Sequence, residues 1–259
     1  MNNQFKYHSK NSLPNLVNIT AKSPSNIALI KYWGKKKIQI PTNPSISFTL
    51  DNCFTETSIE FLKSKEFNIK LLVEGKEKAS FLPKIEQFLQ RIKPYCPFIF
   101  DYSLTINTYN TFPHSSGIAS SASAFSCLSM CIMEFEKHLS NCSQDFQFQK
   151  ASFLSRLGSG SACRSIYGPM AVWGENKITK NASDEFAISF NEIHPIFNNY
   201  QDTILLVDKG TKQVSSSIGH DLMHNHPFSS QRFHQANNQL ESLLDCLLYT
   251  SDAADERRC

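Results

Sequence analysis

Residues 113–122 read Pro-His-Ser-Ser-Gly-Ile-Ala-Ser-Ser-Ala, and this glycine- and serine-rich loop decides how the neighbouring segments are interpreted. The run from Tyr102 to Asn110 before it alternates apolar and polar side chains, as a half-buried β-strand does. The run after it, to about His138, is apolar and rich in small residues, which predicts a buried helix. The order of elements is therefore strand, loop and helix.

A loop that leads into a helix is a suitable place for an anion. The first turn of the helix leaves backbone N–H groups unpaired, and the helix dipole is positive there. Gly117 would let a phosphate approach the backbone closely, and Ser120 and Ser121 add hydroxyl donors. The spacing matches neither the Gly-x-x-x-x-Gly-Lys-Ser/Thr loop nor the Gly-x-Gly-x-x-Gly fingerprint. On these residues alone, a phosphate cradle and an ordinary serine-rich helix start both remain open.

The residues before this unit predict an antiparallel sheet built of hairpins. Short runs of β-branched or alternating residues are separated by turn signals, among them Pro24 and the pair Pro41 and Pro44. The predicted strands cover residues 16–21, 26–33, 46–51, 55–61 and 68–73, and a helix is predicted over residues 80–92.

The residues after it predict a second, shorter series of elements. An amphipathic stretch covers about residues 146–157, and a strand covers residues 170–173. Beyond Pro195 the pattern predicts one strand, residues 203–207, and a polar helix-like segment that contains Phe233, Leu240, Leu243 and Leu244. Because one strand and one or two helices cannot bury a sheet face, this part indicates a second domain that is begun and unfinished.

Composition excludes several classes of protein. A length of 259 residues with 41% hydrophobic residues is enough for one large domain or two modest ones. The net charge of +3 is mild, and no basic helical face indicates nucleic-acid binding. No apolar run reaches the roughly 18 residues of a membrane span, and no signal peptide begins the chain, which predicts a cytoplasmic setting. The eight cysteines form no Cys-x-x-Cys pair, and Cys127 and Cys131, four apart in an apolar stretch, are expected to be reduced core thiols.

Two further segments carry candidate anion ligands. The segment Asn26-Ile-Ala-Leu-Ile-Lys-Tyr-Trp-Gly-Lys35 places aromatic and lysine side chains at a strand end. It is either a strand with a solvated lysine turn or a site where Tyr32 and Lys35 bind a small anion. The segment Gly158-Ser-Gly-Ser-Ala-Cys-Arg164 puts an arginine in the first turn of an expected helix. Arg164 is either structural or the bidentate partner of a carboxylate.

These segments occur in an order that resembles diphosphomevalonate decarboxylases. The matching motifs are residues 26–35, residues 41–50 (Pro-Thr-Asn-Pro-Ser-Ile-Ser-Phe-Thr-Leu), the loop at 113–122 and residues 158–165, and together they cover residues 23 to about 175. The pattern Pro-x-x-x-Gly-Ile/Leu-x-Ser-Ser-Ala resembles the ATP phosphate loop of the galactokinase, homoserine kinase, mevalonate kinase and phosphomevalonate kinase (GHMP) superfamily. A weaker match, residues 207–216, is followed by His220 where the family usually has methionine.

The resemblance implies an α+β fold. A GHMP-kinase-like N-terminal domain, similar to domain 2 of a small-subunit ribosomal protein, would be followed by an incomplete ferredoxin-like α/β sandwich. The expected divisions are a loose lead-in (1–15), the first domain (16–195), the start of the second (196–245) and a non-native tail (246–259). The tail resembles the translated end of a transposase adapter used in shotgun sequencing. We therefore expect the chain to be cut short.

The resemblance also implies roles for individual residues. Tyr32 and Lys35 would contact the substrate diphosphate, and Arg164 would orient the substrate carboxylate. The implied substrate-binding residues are Asn26, Tyr32, Lys35, Ser159, Ser161, Arg164 and Lys212, and the implied ATP-binding residues are Pro113, Gly117, Ser120, Ser121 and Ser216.

The implied reaction uses ATP and Mg²⁺ to phosphorylate the 3-hydroxyl of 5-diphosphomevalonate, and then expels phosphate and carbon dioxide to give isopentenyl diphosphate. The family's general-base aspartate has no match here, since Asp245 and Asp252 stand in a different context, and no metal ligand is identifiable. We therefore expect this fragment to be inactive by itself, and a complete family member to be a homodimer. Two alternatives stay open: a mevalonate or phosphomevalonate kinase of the same fold, and an inactive nucleotide-binding module.

Overall fold

The structure, a computed structural model, describes residues 3–8, 11–113, 117–205 and 216–249. Its strands are β1 (Leu16–Ile30), β2 (Lys35–Lys36), β3 (Ile40–Pro41), β4 (Ser45–Lys63), β5 (Asn68–Val73), β6 (Lys76–Glu77), β7 (Tyr102–Asn110), β8 (Met170–Trp173) and β9 (Ala187–Ser189). Its α-helices are α1 (Leu82–Ile92), α2 (Ser120–Ser140), α3 (Gln144–Gly158), α4 (Ser216–Asp221) and α5 (Ser229–Leu248). Short 3₁₀ helices cover Asn3–Phe5, Ala79–Phe81, Pro97–Asp101, Gly160–Ile166 and Pro195–Asn199.

A single large sheet organises the described residues. Its order is β6-β5-β7-β4-β8-β9, and β1 pairs with β4 as well. The pairs are antiparallel except β5 with β7, which are parallel. The remaining strands, β2 and β3, form a separate hairpin. With helices packed on the sheet, the predicted α+β class is confirmed.

The long strand β4 joins two halves of this sheet. Its residues Thr55–Lys63 pair with β7, and its residues Ser45–Phe48 pair with β8. The strand β1 runs along β4 over most of its length, with a register shift between Pro24 and Ser25. The sequence predicted a break at Pro24, which is wrong, because a proline is tolerated at a strand irregularity and the strand continues.

The main core lies between the sheet and the helices α1, α2 and α3. It includes Ile59 and Phe61 of β4 and Phe135 of α2, all of them almost completely buried. The helix predictions in this region are confirmed by α1, α2 and α3. The 3₁₀ turn at the amino terminus also joins this core, since Phe5 has no exposed surface. Part of the lead-in expected to be loose is therefore packed.

A second core lies under α5. Leu240, Leu244 and Leu247 of this helix pack against Ile46 of β4 and Val172 of β8. The helix-like segment predicted around residues 233–244 is confirmed by α5 and extends to Leu248. Leu247 falls within the segment predicted to be a non-native tail, yet its side chain is 1% exposed. Residues 250–259 of that tail lie outside the described residues.

The strand predicted over residues 203–207 is wrong where it can be compared. Residues 203–205 have no regular structure, and Leu205 is 81% exposed. An apolar run forms a strand only where a neighbouring strand can pair with it, and no described strand does so here. Residues 206 and 207 lie outside the described range. None of the described helices combines the length and the apolar character that a membrane crossing requires.

Candidate functional site

Arg164 is the centre of the site. It lies in the 3₁₀ helix Gly160–Ile166 and is 2% exposed. Its Nη1 donates to Ser45 Oγ at 2.5 Å, and its Nε donates to Ser47 Oγ at 3.0 Å. Its Nη2 donates to Asn26 Oδ1 at 3.3 Å. Three neutral oxygens from two neighbouring strands therefore surround the guanidinium.

No carboxylate is among these partners. Within the described part of the chain, no ion pair joins Arg164 to an Asp or Glu. Burial lowers the pKa of Arg164, but a guanidinium remains charged in proteins at neutral pH. A buried cation without a counter-charge costs free energy, and an anion that enters the site would recover it.

Asn26 connects Arg164 to the loop that follows α3. Its Oδ1 accepts from Arg164, while its Nδ2 donates to Ser165 Oγ at 2.7 Å and to the Ser161 carbonyl at 3.1 Å. The amide oxygen of Asn26 therefore faces the Arg164 guanidinium, and its NH2 group faces the loop. This fixes the orientation of Arg164 relative to the loop.

Tyr32 forms one wall of the same site. It is 6% exposed, and its ring packs edge-on against Trp173 with 4.9 Å between centroids. The Arg164 guanidinium carbon lies 5.9 Å from the centroid of each of these two rings. A Cβ atom on Gly160 would lie 2.9 Å from the Tyr32 hydroxyl oxygen, so only glycine fits there. Burial raises the pKa of Tyr32 to about 12, which keeps its hydroxyl protonated.

Lys35 begins the β2–β3 hairpin, three residues after Tyr32 in the chain. Burial lowers the pKa of Lys35, the charge of Asp221 opposes this, and the charge of Arg91 adds to it. Arg91, at the end of α1, donates to the Leu157 carbonyl at 2.7 Å and so stands beside the loop after α3. The positive charges of Lys35 and Arg91 therefore act on each other, and a multiply charged anion near Lys35 would be attracted by both.

The loop before α2 has the geometry of a helix that can accept an anion. Ala119, at the N-cap, adopts a left-handed conformation with φ 52°, and no side chain caps the first turn. Alanine is a poor cap, so N–H groups of the first turn stay available. Gly117 has φ +87°, which favours glycine at this position. Ser120 and Ser121 begin the helix.

Hydrogen bonds hold this loop against the rest of the site. Ser121 Oγ and Ser159 Oγ lie 3.3 Å apart, which joins the start of α2 to the end of α3. Thr55 Oγ1 donates to Ser123 Oγ at 2.7 Å, and Ser25 Oγ hydrogen-bonds to the Ile118 carbonyl. The two loops that the sequence singled out therefore meet across one hydroxyl pair.

Some candidates lie elsewhere or outside the described residues. The loop at 158–164 was expected to begin a helix, but the structure has only the 3₁₀ turn Gly160–Ile166, after which the chain continues to β8. Hydrogen bonds to residues of β1 and β4 orient the Arg164 side chain, and its place in a helix does not. Lys212 lies outside the described residues, and Ser216 is the first residue of α4. Pro113 is described, whereas residues 114–116 are not.

The sequence did not single out four residues that the structure brings to the site. Ser45 and Ser47 alternate with Ile46 and Phe48 along β4, so both hydroxyls point to the same face of the strand. Buried serines at this spacing in an apolar strand were the available signal. Trp173 and Arg91 gave no such signal, because only long-range packing brings them near Tyr32 and Lys35.

The sequence of this site is similar to known proteins. The family model described as "Diphosphomevalonate decarboxylase-like N-terminal domain" matches residues 23–186, more than half of the chain. A curated diphosphomevalonate decarboxylase from Debaryomyces hansenii is 32% identical over 215 residues, and the match covers 77% of this chain and 53% of that protein. The chain spans about half the length of the curated relatives it matches.

The fold is similar to solved structures as well. The mevalonate diphosphate decarboxylase from Staphylococcus aureus superposes with a TM-score of 0.74 at 28% identity, over 90% of this chain and 68% of that one. A structure described as a complex with MVAPP, AMPPCP and magnesium superposes with a TM-score of 0.71 at 26% identity, again over 90% and 68% of the two chains.

Proposed function

We propose a function from the premise that this chain belongs to the diphosphomevalonate decarboxylase-like family: it binds ATP and 5-diphosphomevalonate for the synthesis of isopentenyl diphosphate. In that reaction the 3-hydroxyl is phosphorylated, and phosphate and carbon dioxide are then lost. The site must hold two polyanions side by side and keep the transferring phosphoryl group in line with the hydroxyl.

The observation that carries this proposal is the buried charge of Arg164, which no carboxylate of the described residues neutralises. A substrate carboxylate is a suitable counter-ion, because it accepts two parallel hydrogen bonds from a guanidinium. Ser45, Ser47 and Asn26 hold the guanidinium in one orientation before the substrate arrives. An ordinary structural arginine would have a carboxylate partner of the protein itself, as Arg156 has in Glu185.

The other groups of the site support the same substrate. Lys35, whose charge interacts with that of Arg91, would bind the diphosphate end, and the protonated hydroxyl of Tyr32 would donate to it. The uncapped start of α2 would bind ATP phosphates, with the hydroxyls of Ser120 and Ser121 as further donors. The contact between Ser121 and Ser159 would bring the nucleotide and the substrate next to each other.

Mg²⁺ belongs to this proposal as the companion of ATP. Among the described residues, no group of three or more His, Cys, Asp or Glu side chains could hold a metal ion. Mg²⁺ is commonly bound through nucleotide phosphates with few protein ligands, and it would supply neutralisation of the phosphate charge. We therefore assign no step to a metal held by the described side chains.

The proposal separates binding from turnover. Phosphoryl transfer to the tertiary hydroxyl needs a base, and no aspartate of this chain matches the family's general base. We expect the 259 residues to bind both ligands and the complete gene product to turn them over. A cytoplasmic setting and a homodimer are part of the same proposal.

Two measurements test the proposal. Isothermal titration calorimetry of this chain should show binding of diphosphomevalonate, and an Arg164→Ala variant should lose most of it. The complete gene product should release labelled carbon dioxide from carboxyl-labelled diphosphomevalonate with ATP and Mg²⁺. Absence of diphosphomevalonate binding would overturn the proposal. A phosphorylated product without carbon dioxide would favour the kinase, and nucleotide binding without turnover would favour the binding module.

A further inference from the structure

His220 occupies an unusual place against the wall of the site. It lies in α4 and is 7% exposed. Its ring stacks on the ring of Tyr32, with 4.4 Å between centroids and 16° between planes. The ring of Trp173 also contacts the ring of Tyr32, but it packs edge-on instead of stacking. His220 is therefore in direct contact with a residue of the proposed diphosphate site.

One nitrogen of this imidazole is already engaged. Nδ1 lies 2.8 Å from the backbone carbonyl of Trp33, and a carbonyl only accepts, so Nδ1 carries a hydrogen. In the neutral ring Nε2 then has a lone pair and no hydrogen. Among the described residues, no hydrogen bond to Nε2 of His220 is present. The ring is thus held in one tautomer with one nitrogen able to take up a proton.

The charges around His220 oppose its protonation in the free protein. Burial lowers its pKa below 6.5, and the charges of Lys35 and Lys31 lower it further. The Trp33 carbonyl and Asp221, which belongs to the same helix, act in the opposite direction.

Two arginines complete the charged surroundings. Arg164 lies 5.9 Å from the centroid of Tyr32, and Arg232 of α5 lies 4.9 Å from that of Trp33. Burial, together with the charges of Lys35 and Lys31, keeps the imidazole neutral near pH 7.

We propose that His220 is a positioning residue of the diphosphate end, which holds Tyr32 by stacking and takes up one proton from solvent when the substrate diphosphate binds. This inference rests on the proposed function. The diphosphate would cancel the charges of Lys35 and Lys31, so the main electrostatic opposition to an imidazolium disappears as the anion enters. The proton goes to Nε2, and the ring changes from neutral to singly positive.

The sign of the effect on binding follows from this linkage. Because the complex binds a proton that the free protein lacks, the affinity for diphosphate increases as the pH falls through the interval between the two pKa values of His220. The gain in affinity that His220 supplies is complete below the lower of its two pKa values. The substrate diphosphate also gains protons as the pH falls, which weakens binding, so only a comparison with a matched variant isolates the contribution of the histidine.

The variants His220→Phe and His220→Ala separate stacking from protonation. Phenylalanine keeps a flat ring on Tyr32 but binds no proton, whereas alanine removes both. Calorimetric titration with diphosphomevalonate in buffers of different ionisation enthalpy would count the protons taken up. We expect proton uptake in the original chain near pH 7 and less of it in both variants. Between about pH 7.5 and 6.5, the ratio of the Kd of His220→Phe to that of the original chain should rise roughly threefold to tenfold.

A measurement on the unaltered chain avoids dependence on the folding of these variants. The NMR titration of the His220 ring proton, without and with saturating diphosphomevalonate, should give a higher pKa in the complex. Binding without a change in this pKa, or equal proton uptake in the original chain and His220→Phe, would overturn the inference and leave the proposed function intact. Absence of binding would overturn both.

Discussion

Two buried cations of this protein have opposite surroundings. Lys150, in α3, has no exposed side-chain surface and lies 2.6 Å from a carboxylate oxygen of Glu136, in α2. Its Nζ also donates to the Tyr95 carbonyl at 3.0 Å. Arg164 is buried to the same degree, yet its three partners are neutral oxygens. A carboxylate neutralises one cation, whereas the other has no carboxylate partner in the part of the chain that the structure describes.

The difference separates a structural charge from a charge available to a ligand. Removing one partner of a buried pair leaves an unpaired ion, so the pair belongs to the stability of the fold. A cation held by hydroxyl and amide oxygens keeps its charge for an incoming anion. The same contrast holds within a short stretch of the chain, since Arg156 of α3 pairs with Glu185 while Arg164, eight residues later, has no carboxylate partner among the described residues.

The sharpest test of this contrast replaces each cation with methionine. Lys150→Met should lower the free energy of unfolding by about 3 to 5 kcal/mol, because it leaves Glu136 buried without its partner. Arg164→Met should leave the free energy of unfolding unchanged or raise it, because it removes a buried charge that has no carboxylate partner among the described residues. Urea denaturation of both variants measures this. The double variant Lys150→Met with Glu136→Leu is the control and should recover most of the loss; equal destabilisation by the two single variants would break the contrast.

Substrate binding should respond in the reverse order, so that a change at Arg164 weakens it more than a change at Lys150. Arg164→Ala should weaken the binding of diphosphomevalonate by about 2 to 5 kcal/mol, because the substrate carboxylate loses a buried charge partner. Arg164→Lys should be nearly as harmful, since an ammonium cannot make the two parallel hydrogen bonds. Calorimetric titration gives both values. If Arg164→Lys bound as tightly as the original chain, bidentate recognition of the carboxylate would be wrong.

Arg156 offers an intermediate case between the two cations. Its Nη1 donates to the Ile38 carbonyl at 2.8 Å, and its Nε and Nη2 donate to the carbonyl and carboxylate of Glu185. The hydrogen bond to the Ile38 carbonyl holds the turn of the β2–β3 hairpin. Arg156→Lys should therefore lower stability by about 1.5 to 3 kcal/mol and also weaken diphosphate binding.

The control for Arg156 is Glu185→Gln. The Glu185 side chain is 42% exposed, so its charge is screened by water, and the loss should stay within about 1 kcal/mol. Chemical denaturation and titration with diphosphomevalonate measure the two effects. A Glu185→Gln variant as damaging as Arg156→Lys would show that the ion pair, rather than the bond to Ile38, holds the hairpin.

The smallest expected effect is the dependence of stability on pH through His220. Its pKa is lowered in the folded protein, so the unfolded chain binds the proton first as the pH falls. The stability associated with the neutral ring is complete above about pH 6.5 and is lost as the pH falls through the folded pKa. The midpoint temperature of thermal unfolding should therefore fall more steeply between pH 7.5 and pH 5 for the original chain than for His220→Phe. Parallel curves would contradict this.

Local patterns were enough for much of the fold. The spacing of apolar residues predicted α1, α3 and α5, an apolar run rich in small residues predicted α2, and alternation predicted β7. The motif order predicted the family, which the match over residues 23–186 confirms. The long strands were harder, because alternation does not show whether the chain passes through a proline or turns at it. Pairing between β1 and β4 decides that, and it joins residues far apart in the sequence.

The amino-acid sequence by itself determined which segments carry chemistry: a glycine- and serine-rich loop before a helix, a lysine turn, and an arginine after α3. Only the tertiary structure decided that Arg164 meets Ser45 and Ser47, more than a hundred residues earlier in the chain, and that no described carboxylate neutralises it. It also decided that His220 lies on Tyr32. The reason is physical: capping, turns and amphipathic spacing depend on near neighbours, whereas the burial and pairing of a charge depend on strands and helices brought together by folding.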